Sequence, residues 1–395
     1  MAYKKHTFPL PLIVPEYLIG EVKAKLAYVD ENIVSGQVSK KGDAITLILR
    51  DELTSSQIGT LESKATKVAE QIVKSAFKPR IQILEDHLDR EVPCKVDPME
   101  QLINTGEISK EAQGIYAIGP LLTRLIDYFD SQFTDLADSF GAAPYRFPTL
   151  IPASYLEKIN YFRTFPHSLT FATHLREDLD LIQDFSEHAS CDEHGIDVSM
   201  NSFSKIQATL TPAVCYHLYF ALADKPVPND QVVATAVGNC CRYESSNLVS
   251  LERMWNFTMR EIIFVGSKEF VLENRETARK RMEDKFTQIG LAYRVETAND
   301  PFFIGEFKQA AFQTAFQLKF EILASLPFQN STVAVGSYNY HQDFFGRNLK
   351  ITLSNGKPAQ TSCVGFGLER MAYAFLAQYG VDVRTWPANM REAIS

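Results

Sequence analysis

The chain has 395 residues and a net charge of −8, with 45 % apolar and 22 % charged residues. That length argues for two domains, and the balance excludes disorder, collagen and coiled coil as descriptions of the whole. No apolar run approaches the roughly 18 residues needed to span a bilayer, and the acidic balance excludes a wholly basic nucleic-acid clamp while leaving room for a local basic face.

The opening stretch MAYKKHTFPLPLIVPEYLIG has a short apolar segment broken by prolines and no small-residue cleavage site, so no secretory leader is expected. Residues 1–95 read as a small α/β module. VSGQVSK and AITLILRD are strands around a KKGD turn, SSQIGTLESKATKVAEQIVKSAF is an amphipathic helix behind a Ser cap, and PRIQILEDH is a further strand. Residues 4–80 hold 12 Lys and Arg against 9 Asp and Glu, so the module is mildly basic while the rest is acidic. A linker is expected at about 90–110. A long amphipathic helix is expected from Ile115 to Phe140, ending in GAAPYRFPTLIP as a punctuated strand. Beyond it strands and helices alternate, with MREIIFVG, STVAVGSY and NLKITLSNG as long apolar strands. Ser267–Gly290 is a highly charged helix containing Arg275, Arg279, Lys280 and Arg281. The last long helix opens from the Gly-rich stretch SCVGFGLER.

The six cysteines, Cys94, Cys191, Cys215, Cys240, Cys241 and Cys363, are scattered and form no CxxC pair. That pattern suits reduced cytoplasmic thiols better than a disulfide framework.

Two stretches carry chemistry. Cys241–Gly266 reads as strand, loop, strand, with Arg242 and Glu244 on one face of the outgoing strand, Arg253 near the end of the loop, and Phe257 and Glu261 on the return. A strand-borne Arg can grip a phosphate bidentately, and a Phe beside it can offer a flat surface to a base. Alone, Arg-x-Glu would read as a surface salt bridge. The second stretch is Gly365-Phe366-Gly367-Leu368-Glu369-Arg370. Its glycines permit close backbone approach to a ligand, and Arg370 falls at a helix start that already favours anions. Alone, it would read as a tight strand–helix turn.

Together, and in this order, the two stretches resemble motifs 2 and 3 of class II aminoacyl-tRNA synthetases, with helix 115–140 and the strand holding Pro152 in the position of motif 1. The resemblance covers residues 110–395 and implies an α+β fold, an antiparallel sheet flanked by helices, behind the small N-terminal module. It implies ATP and Mg²⁺, an aminoacyl-adenylate product, and a homodimer built through motif 1. By it Arg242 holds the α-phosphate, Phe257 stacks on adenine, Glu244 contacts the adenine side, Arg253 approaches the outer phosphates and Arg370 takes the γ-phosphate. Glu321 in FQLKFEILASLP is the implied metal carboxylate, although the chain has Leu323 where the family often has an acidic residue.

Within the class, the details resemble the zinc-dependent, methanogen-type seryl-tRNA synthetases and their shortened homologues, the amino acid:[carrier protein] ligases. Cys215 in LTPAVCYHLYF, Glu261, and Cys363 just before motif 3 match in placement the Cys/Glu/Cys zinc ligands of those enzymes. Such a set leaves a fourth tetrahedral position open, which a neutral amine can fill. Ser337 and Asn339 in GSYNYHQDFFGR resemble the loop lining the amino-acid pocket; His341 and Asp343 read equally well as structural. The implied substrate is a small amino acid. The implied acceptor is either the phosphopantetheine thiol of a carrier protein or, alternatively, tRNA. Nothing in residues 1–110 forms two long heptad helices, and no Asp-Ser-Leu segment marks a fused carrier domain. The near-neutral charge and lack of a clear RNA-binding domain favour the carrier. The charged helix 267–290 offers a basic face for an acidic carrier, or is an exposed helix laced with ion pairs.

Overall fold

The computed structural model describes residues 3–75, 81–192, 195–248, 250–298 and 317–394. Its N-terminal sheet has three antiparallel strands in the order Lys4–Pro9, Ala44–Leu49, Ile33–Val38. The alternation in AITLIL sends Ile45, Leu47 and Leu49 to one face, where they bury against Val22 and Leu26 of helix Glu16–Leu26 and Leu61, Ala65 and Ala69 of helix Ser55–Ser75. The last two residues expected in that second helix, 76–77, lie outside the described residues. The KKGD turn closes on Gly42 at φ +72°, where a Cβ would stand 2.0 Å from the Val14 carbonyl oxygen.

The rest is organised by an eight-stranded sheet. Its spatial order is Ile83–Asp86, Tyr293–Thr297, Lys319–Leu326, Ser331–Gln342, Gln360–Gly367, Asn256–Gly266, Val232–Cys241, Ala143–Tyr145. Every pairing is antiparallel except the last. Helices Pro120–Asp138, Lys268–Ile289 and Leu368–Tyr379 cover one face. There Phe366 of the sheet stacks on Phe133 of the first helix with ring centroids 3.9 Å apart. Because side chains alternate, the same strands present Phe257, Met259 and Glu261, Cys363 and Gly365, and Ser337 and Asn339 to the opposite face. The site lies on that face.

Several expectations are corrected. Ile115–Ile118 is a strand paired with Ile108–Ala112, and the helix begins only at Pro120, since proline suits the first helical position and Gly119 precedes it. The expected linker holds helix Met99–Asn104 and that first strand. Ile83–Asp86, assigned from sequence to the N-terminal module, pairs instead with Tyr293–Thr297 at the edge of the large sheet. GAAPYRFPTLIP splits between two sheets as Ala143–Tyr145 and Leu150–Pro152. NLKITLSNG is no strand: Thr352 makes only isolated bridges to Pro226 and Pro358. The charged helix runs Lys268–Ile289 as expected, with Ser267 accepting from the Phe270 amide and Gly290 ending it in the left-handed conformation.

Candidate active site

The strand Val232–Cys241 ends one residue before Arg242, so Arg242 and Glu244 do not share a strand face as expected; they lie in the loop that follows. Arg242 is held at its base, its Nε donating to the Pro212 carbonyl at 2.9 Å. Its guanidinium lies over the Phe257 ring, 5.4 Å from the centroid. Glu244 ion-pairs with Arg253 across the loop. Burial alone would raise the Glu244 carboxyl, but Arg253, Arg370 and Arg242 together hold it below the ordinary carboxylate range. Arg370, in the first turn of helix Leu368–Tyr379, donates to the Ala334 carbonyl at 3.3 Å. Glu321 faces Ser337 across the sheet and pairs with Lys319 at 3.0 Å, so a cation there would have to displace an ammonium.

Glu369, given no role in the sequence reading, anchors this end of the site. Both its carboxylate oxygens accept from the Thr258 amide at 2.9 Å, which ties the motif 2 return strand to the last long helix. Its position beside Arg370 was the only sequence signal.

The second half of the site is sulfur. Helix Cys215–Ala221 begins at Cys215, and Glu261 and Cys363 face it from adjacent strands of the sheet. One ligand atom from each of Cys215, Glu261 and Cys363 lies within 4.8 Å of the others, and all three residues are buried. The backbone amides of Val214 and Cys215 donate to the two oxygens of Glu261 at 3.2 and 3.1 Å. Burial and then the Cys363 sulfur push the Glu261 carboxyl up to about 8. Between the two thiols, a hydrogen bond from Cys215 holds Cys363 below the ordinary thiol range, whereas burial pushes Cys215 above it. Asn339 Nδ2 donates to Cys363 Sγ at 3.4 Å, and His341 Nε2 lies 3.9 Å from the same sulfur. The donor set fits zinc. Two sulfurs and one carboxylate oxygen around a tetrahedral ion stand about 3.5–3.8 Å apart, inside the spacing the three residues already have.

Both halves open into one cavity of about 640 Å³. Arg242, Met259, Glu261, Cys215, Cys363, Ser337, Asn339 and Gly365 line it, together with Lys319 and His341. A Cβ on Gly365 would lie 3.0 Å from Met259 Cε, so the end of that methionine would have to give by a few tenths of an ångström to admit one. Lys319, and the aromatic wall of Tyr161, Phe165, Tyr216 and Phe345, are lining residues that sequence reasoning missed. Of the expected residues, Glu244, Arg253, Glu321 and Arg370 belong to the charged cluster beside the cavity, and Asp343 lies apart, bonded to Arg347 at 2.6 Å.

A large antiparallel sheet covered by helices on one face, with Arg242 just past the end of one strand and Arg370 at the start of the last long helix, is the catalytic fold of class II aminoacyl-tRNA synthetases. The likeness to a solved M. kandleri SerRS, in complex with A. aeolicus tRNASec, has a TM-score of 0.70 at 17 % identity and covers 99 % of this chain and 77 % of that one. The chain belongs to the amino acid–[acyl-carrier-protein] ligase family. It is 32 % identical over 305 residues to the Bradyrhizobium diazoefficiens ligase 1 of that name, covering 76 % of this chain and 91 % of the relative. It is therefore an enzyme, a ligase. It is also 25 % identical to a type-2 serine–tRNA ligase of Methanococcus maripaludis, over 97 % of this chain and 75 % of that one. No family model matches the chain. No described helix is long and apolar enough to cross a membrane.

Proposed function

We propose that the enzyme activates a small amino acid with ATP and transfers it to the phosphopantetheine thiol of a carrier protein. The observation that carries this reading is the single cavity that holds the Cys215–Glu261–Cys363 set and the Arg242 guanidinium together, in a chain of the carrier-protein ligase family.

In the first step the amino acid's carboxylate oxygen attacks the α-phosphorus of ATP, the new P–O bond forms and pyrophosphate leaves. No general base is needed, because the carboxylate is already the nucleophile. Arg242 offsets charge on the α-phosphoryl oxygens, and its Nε bond to Pro212 fixes the plane of the fork. Phe257 takes the adenine, Glu244 contacts the adenine side, and Arg253 and Arg370 take the outer phosphates; Glu321, once released from Lys319, would hold Mg²⁺, which supplies further positive charge to those phosphates when bound. Cys215, Glu261 and Cys363 would hold zinc, which supplies when bound an open coordination position for the neutral amine nitrogen. Ser337 and Asn339 line the pocket beside it. In the second step the carrier thiol attacks the adenylate carbonyl, the C–S bond forms, the proton leaves the sulfur and AMP departs. The working unit is a homodimer, whose second copy covers the motif 1 stretch that leaves Tyr145 and Leu150 exposed.

A second reading, transfer to tRNA, is favoured by one observation. The likeness to the type-2 serine–tRNA ligase runs over 97 % of the chain, so it extends into the mildly basic N-terminal module. One experiment separates them. Amino-acid-dependent ATP–pyrophosphate exchange is measured across a panel of amino acids, followed by loading of phosphopantetheinylated carrier protein and of total tRNA. Exchange with a small amino acid and a hydroxylamine-labile thioester on the carrier are expected. Charging of tRNA alone overturns the carrier reading, and absence of exchange overturns adenylation.

A further inference from the structure

Helix Cys215–Ala221 carries Tyr219 one turn after Cys215, on the same face. The Tyr219 ring is fully buried. It packs tilted on Phe345, with centroids 4.3 Å apart, and meets the ring of His341 edge-on at 5.8 Å. Its hydroxyl has no hydrogen-bond partner of regular geometry. A buried phenol usually finds one, so an orphan needs an account. The groups that face it are Cys215, Cys363 and Glu261, with Cys215 close enough to bond.

The two sulfurs are unequally served. Cys363 has Asn339 Nδ2 at 3.4 Å and His341 Nε2 at 3.9 Å. Among the described residues no side-chain nitrogen is bonded to Cys215. Once Cys215 is a thiolate ligand it loses its S–H, and its sulfur becomes an acceptor in a buried, apolar setting where an unserved charge is costly. The Tyr219 hydroxyl, one helical turn away and close enough to bond, can supply that proton.

We propose that Tyr219 is a positioning residue of the metal centre: its phenol donates to the Cys215 thiolate, as Asn339 donates to Cys363, so that both sulfurs are hydrogen-bonded ligands. The hydrogen bond withdraws charge from the sulfur and fixes the Cys215 rotamer. Donors of this kind set ligand orientation and metal affinity.

This inference rests on the proposed zinc site and is tested on the whole protein without turnover. Tyr219→Phe removes one oxygen and keeps the ring against Phe345. The wild type, Tyr219→Phe and Cys215→Ser are loaded with cobalt(II), and zinc affinity is read by chelator competition. In Tyr219→Phe the sulfur-to-cobalt charge-transfer band is expected to move to longer wavelength, because the sulfur is richer in charge, and zinc to bind about 10-fold more weakly. An unchanged band and affinity in a Tyr219→Phe protein that melts like the wild type overturns the inference. If Cys215→Ser also keeps the wild-type spectrum, it is the zinc site that fails. If Cys215→Ser loses charge-transfer intensity while Tyr219→Phe is unchanged, only the role of Tyr219 fails.

Discussion

Asn339 and Cys363 stand opposite each other across the paired strands Ser331–Gln342 and Gln360–Gly367, and the Asn339 amide nitrogen reaches the Cys363 sulfur at 3.4 Å. A side chain expected to line the amino-acid pocket thus also supports a sulfur of the proposed metal set. The strand register makes this possible. Asn339 pairs with Cys363, Ser337 with Gly365, and Glu261 with Gly365 on the other side. A one-residue slip of any of these strands would turn its contribution to the helix-covered face.

The sulfur set predicts a paired loss. Cys215→Ser and Cys363→Ser are each expected to lose co-purified zinc and amino-acid-dependent pyrophosphate exchange together, since neither hydroxyl replaces a thiolate donor at this burial. Metal analysis and exchange on the same preparations check it. A variant that keeps full zinc and full exchange removes that cysteine from the ligand set.

Arg242 predicts the opposite pattern. Arg242→Ala should lower kcat/KM for exchange by about 100-fold or more, the usual result of deleting a donor to a developing anion, while zinc content stays at the wild-type level. Arg242→Lys should not restore the rate, because an ammonium cannot both hold the Pro212 carbonyl, 2.9 Å from Nε, and present a fork. Wild-type turnover in Arg242→Ala would sink the motif 2 assignment.

What the sequence makes legible divides along physical lines. Local signals work for helix 268–289, where a Ser cap and a terminal glycine bracket the charged run. They fail at Ile115–Ile118, an apolar stretch whose hairpin partner precedes it within the span read as a linker. The charged half of the site is legible because its arginines sit in two motifs of recognisable order. The sulfur half is not legible from spacing, because Cys215 and Cys363 are brought together only by the sheet, and the family resemblance alone points to them. Tyr219, Lys319 and Glu369 carry no pattern: each matters through what lies across a strand or a helical turn. Strand Ile83–Asp86 was misassigned for the same reason, since its partner Tyr293–Thr297 is distant in sequence.

On the helix-covered face, Arg260 is 8 % exposed and gives two hydrogen bonds of 2.7 Å to Asp130 and one of 3.3 Å to Thr235. Asp130→Ala leaves a guanidinium buried without its carboxylate. Breaking a fully buried pair costs about 3–5 kcal/mol. The Asp130 side chain is 25 % exposed, so roughly 2–3 kcal/mol is expected after discounting for solvent screening. Urea unfolding measures it. The double variant Asp130→Leu/Arg260→Met should recover most of the loss, and a double variant as unstable as Asp130→Ala would contradict an uncompensated charge as the cause.

The N-terminal module touches motif 2 directly, and that seam should respond to pH. Ser245 Oγ donates to the Ala27 carbonyl at 3.2 Å, Tyr28 Oη to the Tyr243 carbonyl at 3.4 Å, and the Tyr243 amide to the Ser168 carbonyl at 3.0 Å. His167 meets the Tyr28 ring edge-on at 5.0 Å. Burial, and then the Lys25 ammonium, hold the His167 imidazole down to about 4, with Glu244 opposing them. The folded state therefore keeps His167 neutral where the unfolded chain, with a histidine near 6.5, takes up a proton. The unfolded state binds more protons between those two values, so stability rises with pH through that window. The contribution of His167 is complete above about pH 6.5 and drains away as pH falls towards 4. Melting temperature against pH should slope upward from pH 4 to 6.5, and His167→Gln should flatten that slope while leaving the value at pH 8 little changed. A slope identical in the two proteins would mean that another group governs the acid sensitivity of the seam.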